Sequence, residues 1–394
     1  MSIQSLVWLG WATAGVLGHW SVPLRFRDWF LIAFTLTFLC LYAPLSAVIL
    51  LSLTGCTFLL TRERPVSGIA VAVLAVIMVG LLAAYKLSYG QLHFENGASI
   101  VIPLGLSYYT LRCLHYAIES YKGTLKPHSL TDFISYQLFF PALIAGPIHR
   151  FPEFHRDQNR RRWDPAMFSG GLERILFGFT KIVVLGNYLI SQVIASRISD
   201  HIAIEGGMIG SSSDAWLPLF VYFDILRHGI NLYFQFSGYS DVAIGFGMLF
   251  GFRIMENFNW PFLKKNVSEF WQSWHISLTG WCREYIYMVV ISNWRSPALA
   301  AIAAMLAIGF WHEISLRYLL WGVYHGIGIA IWQLFQRVKP SLPKFDGLIA
   351  SRVTHCLSVA LTFHFIVLGF SIVQGPNLTI AMQRWNILFL SWWN

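Results

Sequence analysis

The sequence predicts an all-α integral membrane protein, and three observations carry that prediction. The 394-residue chain is 56% hydrophobic and only 12% charged, about half the charged fraction of a soluble domain. Its mean hydropathy is +0.56. Continuous apolar runs over residues 66–85, 171–193, 216–234, 318–335 and 353–373 approach or reach the ~20 residues that cross hydrocarbon as a helix. None of them alternates with a period of two, which excludes a transmembrane barrel.

Taken in order, residues 1–85 read as about four helices separated by arginine-containing turns, a scaffold without chemistry. The opening "MSIQSLVWLGWATAGVLGHW" lacks a charged n-region and a small-residue cleavage site, so it reads as a retained first helix rather than a signal peptide. Glycine, proline and polar residues enter after Asn96, dividing the chain into an N-terminal scaffold (1–95), a core (96–336) and a C-terminal helix with an aromatic tail (337–394). Within residues 131–148, Pro141 and Pro147 bracket Gly146. Proline removes a backbone donor, and such backbone persists at membrane depth only where protein or a water-filled cavity satisfies it. A re-entrant hairpin is therefore expected there.

The formal charge of +9 does not indicate nucleic acid, because the basic residues sit in short connections: Arg25, Arg27, Arg62, Arg64, Lys122, Lys126, residues 150–162, Lys264, Lys265 and residues 337–352. That is positive-inside patterning, and it assigns these connections to the cytoplasm. Residues 199–214, with Asp200, Glu205 and Asp214 and no Lys or Arg, fall on the opposite side. Two crossings between 216 and 252 would then place Lys264 and Lys265 wrongly, so a broken or re-entrant element is expected there too. The tail "RWNILFLSWWN" brings Trp385, Trp392 and Trp393, suited to an interfacial belt. The five cysteines are scattered without CxxC spacing, so they read as small core hydrophobes, and no disulfide scaffold or metal site is indicated.

Polar chemistry concentrates in a few places. "GFWHEISLRYLLWGVYHG" carries His312, Glu313, Arg317 and His325 in an apolar segment. Ionisable groups at membrane depth are costly and mark function, and an imidazole is the natural general base near neutral pH. His312 is thus the leading catalytic candidate, against the alternative of a histidine bonded to a carbonyl or headgroup. A zinc-protease helix is excluded because Leu316 stands where HExxH needs histidine. "EFWQSWHISLTGWCREYIYM" mixes Glu269, Ser273, His275 and Arg283 with Trp274 and Trp281. It makes no clean polar stripe, which predicts an irregular, partly wet element. Asp241 lies in "YFQFSGYSDVAIGFGMLFG", whose glycines fail GxGxxG at Phe250 and suit helix packing. The basic stretch 150–162 suits a topology signal, an acidic carrier, a cofactor phosphate or anionic lipid. No Walker or GxSxG motif is present.

Together "LGLSYYTLRCLHYAIESYKG", "FFPALIAGPIHRF", "FSGYSDVAIG", "FGFRIMENFNWPF", "SEFWQSWHISLTGWCREYIY" and "GFWHEISLRYLLWGVYHG" resemble, in order and spacing, the membrane-bound O-acyltransferase (MBOAT) family, across residues 104–332. The resemblance is to the bacterial branch that acetylates polysaccharides or transfers D-alanine to teichoic acid. It implies about 11 transmembrane helices with re-entrant elements around a transmembrane tunnel. It makes residues 96–336 the catalytic core, His312 the catalytic residue and His275 a second functional position. Asp241, Glu269, Trp274, Arg283, Trp311 and His325 become candidates for tunnel-shaping or substrate contacts. It further implies a bacterial inner-membrane, multi-pass enzyme with no permanently bound cofactor. The donor would be acetyl-CoA or an acyl-phosphopantetheine carrier protein, and the acceptor an extracytoplasmic polysaccharide, a teichoic-acid-like polymer, or a partner acyltransferase or relay protein. "YIYMVVIS" replaces the "YLYIPLGG" usual among the acetylating members, leaving acetyl and D-alanyl both open. A transporter or flippase without bond chemistry predicts inverted repeats, and no internal repeat is visible.

Overall fold

The computed structural model describes residues 6–62, 65–88, 103–143, 146–199, 202, 204–205, 208–209, 216–341, 348–375 and 377–389. Arg64, Asn96, Asp200, Asp214, Trp392 and Trp393, singled out above, lie outside the described residues, and only the backbone of Glu205 is described. The chain divides into two compact units. One comprises residues 1–178 and 239–255, and the other residues 179–238 and 256–394.

The first unit begins with the four expected helices, α1 (Leu6–Ser21), α2 (Arg27–Tyr42), α3 (Pro44–Thr61) and α4 (Gly68–Ser88). Proline opens α3, where its missing N–H is no loss. The outward side chains of α4, among them Ile69, Val76 and Ile77, remain exposed. With hydrocarbon as the solvent those side chains need no protein cover. The buried side is aromatic: the Trp8 ring stacks on Phe140 at 5.5 Å and meets Phe246 edge-on at 5.2 Å.

Helix α5 (Leu106–Lys122) is followed by α6 (Leu130–Gln137), which Ser129 and Asp132 start with a reciprocal capping box. The 8 residues of α6 extend only about 12 Å, too short to cross. A 3-10 turn at Phe140–Ala142 ends the segment, and α7 (Phe151–Arg160) follows.

Helix α8 runs Pro165–Phe179 and continues through π-helical turns at Thr180–Ile194 into Ala195–Ser199. Two-residue strands Ile204–Glu205 and Met208–Ile209 pair after it. Helix α9 (Leu217–Leu249) is a single element of 33 residues, and here the expectation of a broken or re-entrant segment is corrected. At about 50 Å it exceeds the ~30 Å hydrocarbon core in length, although it is not among the described helices apolar enough to cross by composition. A single crossing by α9 is the arrangement that would bring Lys264 and Lys265 to the side the charge rule requires.

In the second unit α9 packs Val221 and Ile225 against Val367. The short helices α10 (Val267–Trp271), α11 (Ile276–Cys282) and α12 (Met288–Trp294) precede α13 (Pro297–His312), α14 (Leu316–Val338), α15 (Leu348–Gln374) and α16 (Leu378–Phe389). Trp385 of the aromatic tail is half-buried and donates to Ser371 Oγ at 2.8 Å. Helices α13 and α14 form a close hairpin. A Cβ added at Gly309, Gly322 or Gly326 would lie 2.5–2.9 Å from backbone atoms of Tyr318, Met305 or Ile302, so only glycine permits that approach. Among the described residues, four helices are long and apolar enough to cross a membrane, at Pro44–Thr61, Gly68–Ser88, Pro165–Ile198 and Ser351–Gln374. The molecule is an all-α protein of membrane type.

Candidate active site

The segment around His275 is irregular, as its mixed pattern predicts. Asn266 caps α10 by accepting from the Glu269 N–H at 2.8 Å, and α10 ends after Trp271. The chain then turns through a left-handed His275 (φ 46°, ψ 52°) before α11 begins. A non-glycine residue tolerates that conformation only where its surroundings hold it.

The hold comes from "ENFNW". Phe258 pairs antiparallel with Trp274 as a single bridge, and the Asn259 N–H donates to the Ser273 carbonyl at 3.0 Å. The Ile276 N–H donates to the Asn257 carbonyl at 2.9 Å. Asn257 Oδ1, fully buried, accepts from the Ser277 N–H at 3.2 Å and its hydroxyl at 2.7 Å. Asn257 thus fastens the two residues that follow His275, Ile276 and Ser277.

The His275 ring is 2% exposed. It meets Phe236 edge-on at 4.6 Å and Trp311 at 5.7 Å. Trp311 lies 4.9 Å from the ring of His312, and the two imidazoles are near enough to interact electrostatically. His312, the last residue of α13, is exposed and stacks on Tyr318 at 5.6 Å. Beyond it Ser315 caps α14. The Glu313 carboxylate accepts twice from Arg317 at 2.9 and 3.0 Å, and Arg317 also donates to the Gly375 carbonyl. Both bonds come from the one Arg317 Nη2, while Nη1 reaches the Gly375 carbonyl, so the guanidinium ties the turn after His312 to the end of α15.

A cavity of 480 Å³ runs beside this segment, its walls including Trp271, Ile276, Thr279, Arg283, Ile308 and Gln333. Trp271 and Ile276 flank the His275 turn in sequence, and Ile308 stands about one helical turn before His312. Neither histidine is among the cavity's lining residues. From Arg283 to Tyr287 the chain adopts a π-helical turn, a local widening found often beside functional sites.

The remaining candidates separate. Arg283 lines the cavity, and Trp311 joins the two histidines. His325 is fully buried against Trp271 at 5.1 Å and Trp321 at 4.8 Å, with neither ring nitrogen hydrogen-bonded among the described residues. Trp274 packs among Phe258, Phe262, Phe270 and Phe370, supporting the turn rather than the cavity. Glu269 faces outward beside Lys265 at 3.8 Å. Asp241 belongs to the first unit, ion-paired with Arg174 at 2.9 Å. Sequence reasoning did not single out Asn257 or Trp271; the quoted "MENFNWP" contained the signal, two asparagines in an apolar setting.

Comparison with known proteins supports the same conclusion. The chain is 36% identical over 296 residues to the Pseudomonas aeruginosa protein named "Probable alginate O-acetylase AlgI", covering 74% of this chain and 52% of that protein. It therefore spans about half the length of that relative. It is 29% identical over 342 residues to the teichoic acid D-alanyltransferase of Bacillus subtilis, covering 81% of each chain. It is 28% identical over 328 residues to the peptidoglycan O-acetyltransferase of Helicobacter pylori, covering 74% of this chain and 57% of that one. The profile of the membrane-bound O-acyltransferase family matches residues 28–373, nearly the whole polar and apolar framework just described, and the chain belongs to that family.

Proposed function

We propose that the protein is a membrane-bound O-acyltransferase of the bacterial inner membrane. It moves an acetyl or D-alanyl group from a cytoplasmic thioester, acetyl-CoA or an acyl-phosphopantetheine carrier protein, to a hydroxyl at the outer face. The acceptor belongs to a polysaccharide, a teichoic-acid-like polymer or a relay protein. The observation that carries this reading is the convergence of His275 and His312 on Trp311, beside a cavity with a polar wall.

His312 takes the acceptor's hydroxyl proton as the oxygen attacks the thioester carbonyl. The tetrahedral intermediate then expels the thiolate, which receives that proton back from the imidazolium. No oxidant or metal enters this balance. The turn locked by Glu313 and Arg317 holds the base in place, and positioning of this kind is worth orders of magnitude in rate. The 480 Å³ cavity beside α11 has the size of a small-ligand site and supports a place for the donor's thioester arm, with Arg283 at its wall and the transmembrane tunnel as its continuation.

The test incubates purified protein with radiolabelled acetyl-CoA or D-alanyl carrier and a polysaccharide or teichoic acid acceptor, comparing His312→Ala with the parent. Loss of about 10²–10⁴-fold in transfer is expected for removal of a general base. Equal transfer by the variant rejects His312. Transbilayer movement of substrate without acyl transfer would favour a flippase.

A further inference from the structure

The basic stretch after residue 150 is not absorbed by this chemistry. Helix α7 buries Phe151, Phe154 and Gln158 and leaves Arg156 and Arg160 exposed. In the same unit, a polar recess of 680 Å³ is walled by Arg156, Arg160, Arg162 and Arg253 with Asp157 and Asp164. Both carboxylates are already engaged. Asp157 accepts from Arg156 Nε at 3.0 Å and from the Arg253 backbone N–H at 2.9 Å. Asp164 accepts from the N–H groups of Ala166 and Met167 at 3.0 and 3.2 Å, closing the first turn of α8.

The guanidinium groups of Arg160, Arg162 and Arg253 consequently have no ion-pair partner among the described residues. Arg161, between two of them, is buried and paired with Asp28 at 2.6 Å, so one arginine of the run anchors the fold while its neighbours are left to the recess. Three unpaired guanidinium groups around one hollow repel one another unless an anion joins them, and their planar forks match phosphate oxygens.

The setting identifies the anion's source. Asp164 immediately precedes Pro165, where a helix able to cross the membrane begins. Trp163, exposed, packs edge-on against Trp20 at 5.1 Å, as tryptophans do at headgroup depth. We infer that this recess binds the phosphate of an anionic phospholipid headgroup through Arg160, Arg162 and Arg253.

The experiment uses the full chain in neutral detergent, titrated with phosphatidylglycerol or phosphatidylcholine, with bound lipid counted by native mass spectrometry. Phosphatidylglycerol is expected to be retained in preference. The Arg160→Gln/Arg162→Gln/Arg253→Gln variant should retain it at least about tenfold more weakly, with phosphatidylcholine unchanged. The corresponding triple lysine variant keeps the charge and loses the forks, and it should also bind more weakly than the parent. Parental retention by either triple variant overturns the proposal, as does displacement of phosphatidylglycerol by free CoA or inorganic phosphate, which would make the ligand a soluble phosphate. If the glutamine triple fails to fold, Arg253→Gln alone, whose backbone bond to Asp157 survives, is expected to weaken retention by about fivefold, and parental retention in it likewise overturns the site.

Discussion

At His275 the backbone sits in a region that costs a non-glycine residue about 1–2 kcal/mol, and Asn257 offsets that cost by satisfying both polar groups of Ser277. Asn257→Ala would leave a buried N–H and hydroxyl without an acceptor, lowering stability by about 1–3 kcal/mol. It should lower acyl transfer further than the loss of folded protein explains. Thermal unfolding and transfer rates measured together check this, and an unchanged rate per folded molecule would show that Asn257 does not position His275. His312, exposed at a helix end, behaves oppositely: His312→Gln should leave the unfolding midpoint nearly unchanged while abolishing most transfer. A third residue acts on stability alone. Asp224 accepts from Arg227 at 2.6 and 3.0 Å, Gln374 at 3.0 Å and the buried Arg384 at 2.9 Å. Asp224→Ala strands Arg384 and should cost about 3–5 kcal/mol, part of it recovered when Arg384→Met is added. Failure of the second change to recover any stability would refute the pairing argument.

Among the elements, the α13–α14 hairpin depends on residues with no side chain. Gly322→Ala places a methyl 2.9 Å from the Met305 carbonyl oxygen, so the helices must separate and both stability and transfer should fall. Gly10→Ala, with nothing within 4 Å of the new methyl, should be neutral or slightly stabilising, since alanine favours the helix by up to about 1 kcal/mol. Equal effects of the two, by thermal unfolding, would deny the seam. Sequence patterning made the long helices legible because their apolar runs are local signals, and α4, α14 and α15 begin and end close to the runs that predict them. It made His312 conspicuous, since an ionisable residue in oil stands out, whereas His275 beside Trp274 reads as an interfacial histidine until the family resemblance singles it out. The strap from Asn257 to Ser277 was not legible, because it is a contact between two irregular segments and irregular backbone leaves no periodicity. Asp241 was conspicuous in the same way as His312, but its partner Arg174 is 67 positions away and cannot be inferred from spacing.

For the molecule as a whole, the path of α9 decides the chain's topology. A single crossing by its 33 residues would put its ends on opposite faces of the membrane. In a background with Cys40, Cys56, Cys113, Cys282 and Cys356 replaced, Trp216→Cys should therefore react with an impermeant maleimide from outside, and Lys264→Cys only from within. Labelling of both from one side would restore a re-entrant path. The helix is continuous where a break was expected, because its glycines pack rather than interrupt it. The glycine seam also separates what evolution can vary from what it cannot. One face of α13 is pinned against α14 through Gly309, Gly322 and Gly326, whereas Ala301, Ala304 and Ile308 of that helix line the cavity. Mutant libraries seeking new acyl groups should accordingly spare the first set and diversify the second, where larger side chains would shorten the chamber without parting the helices.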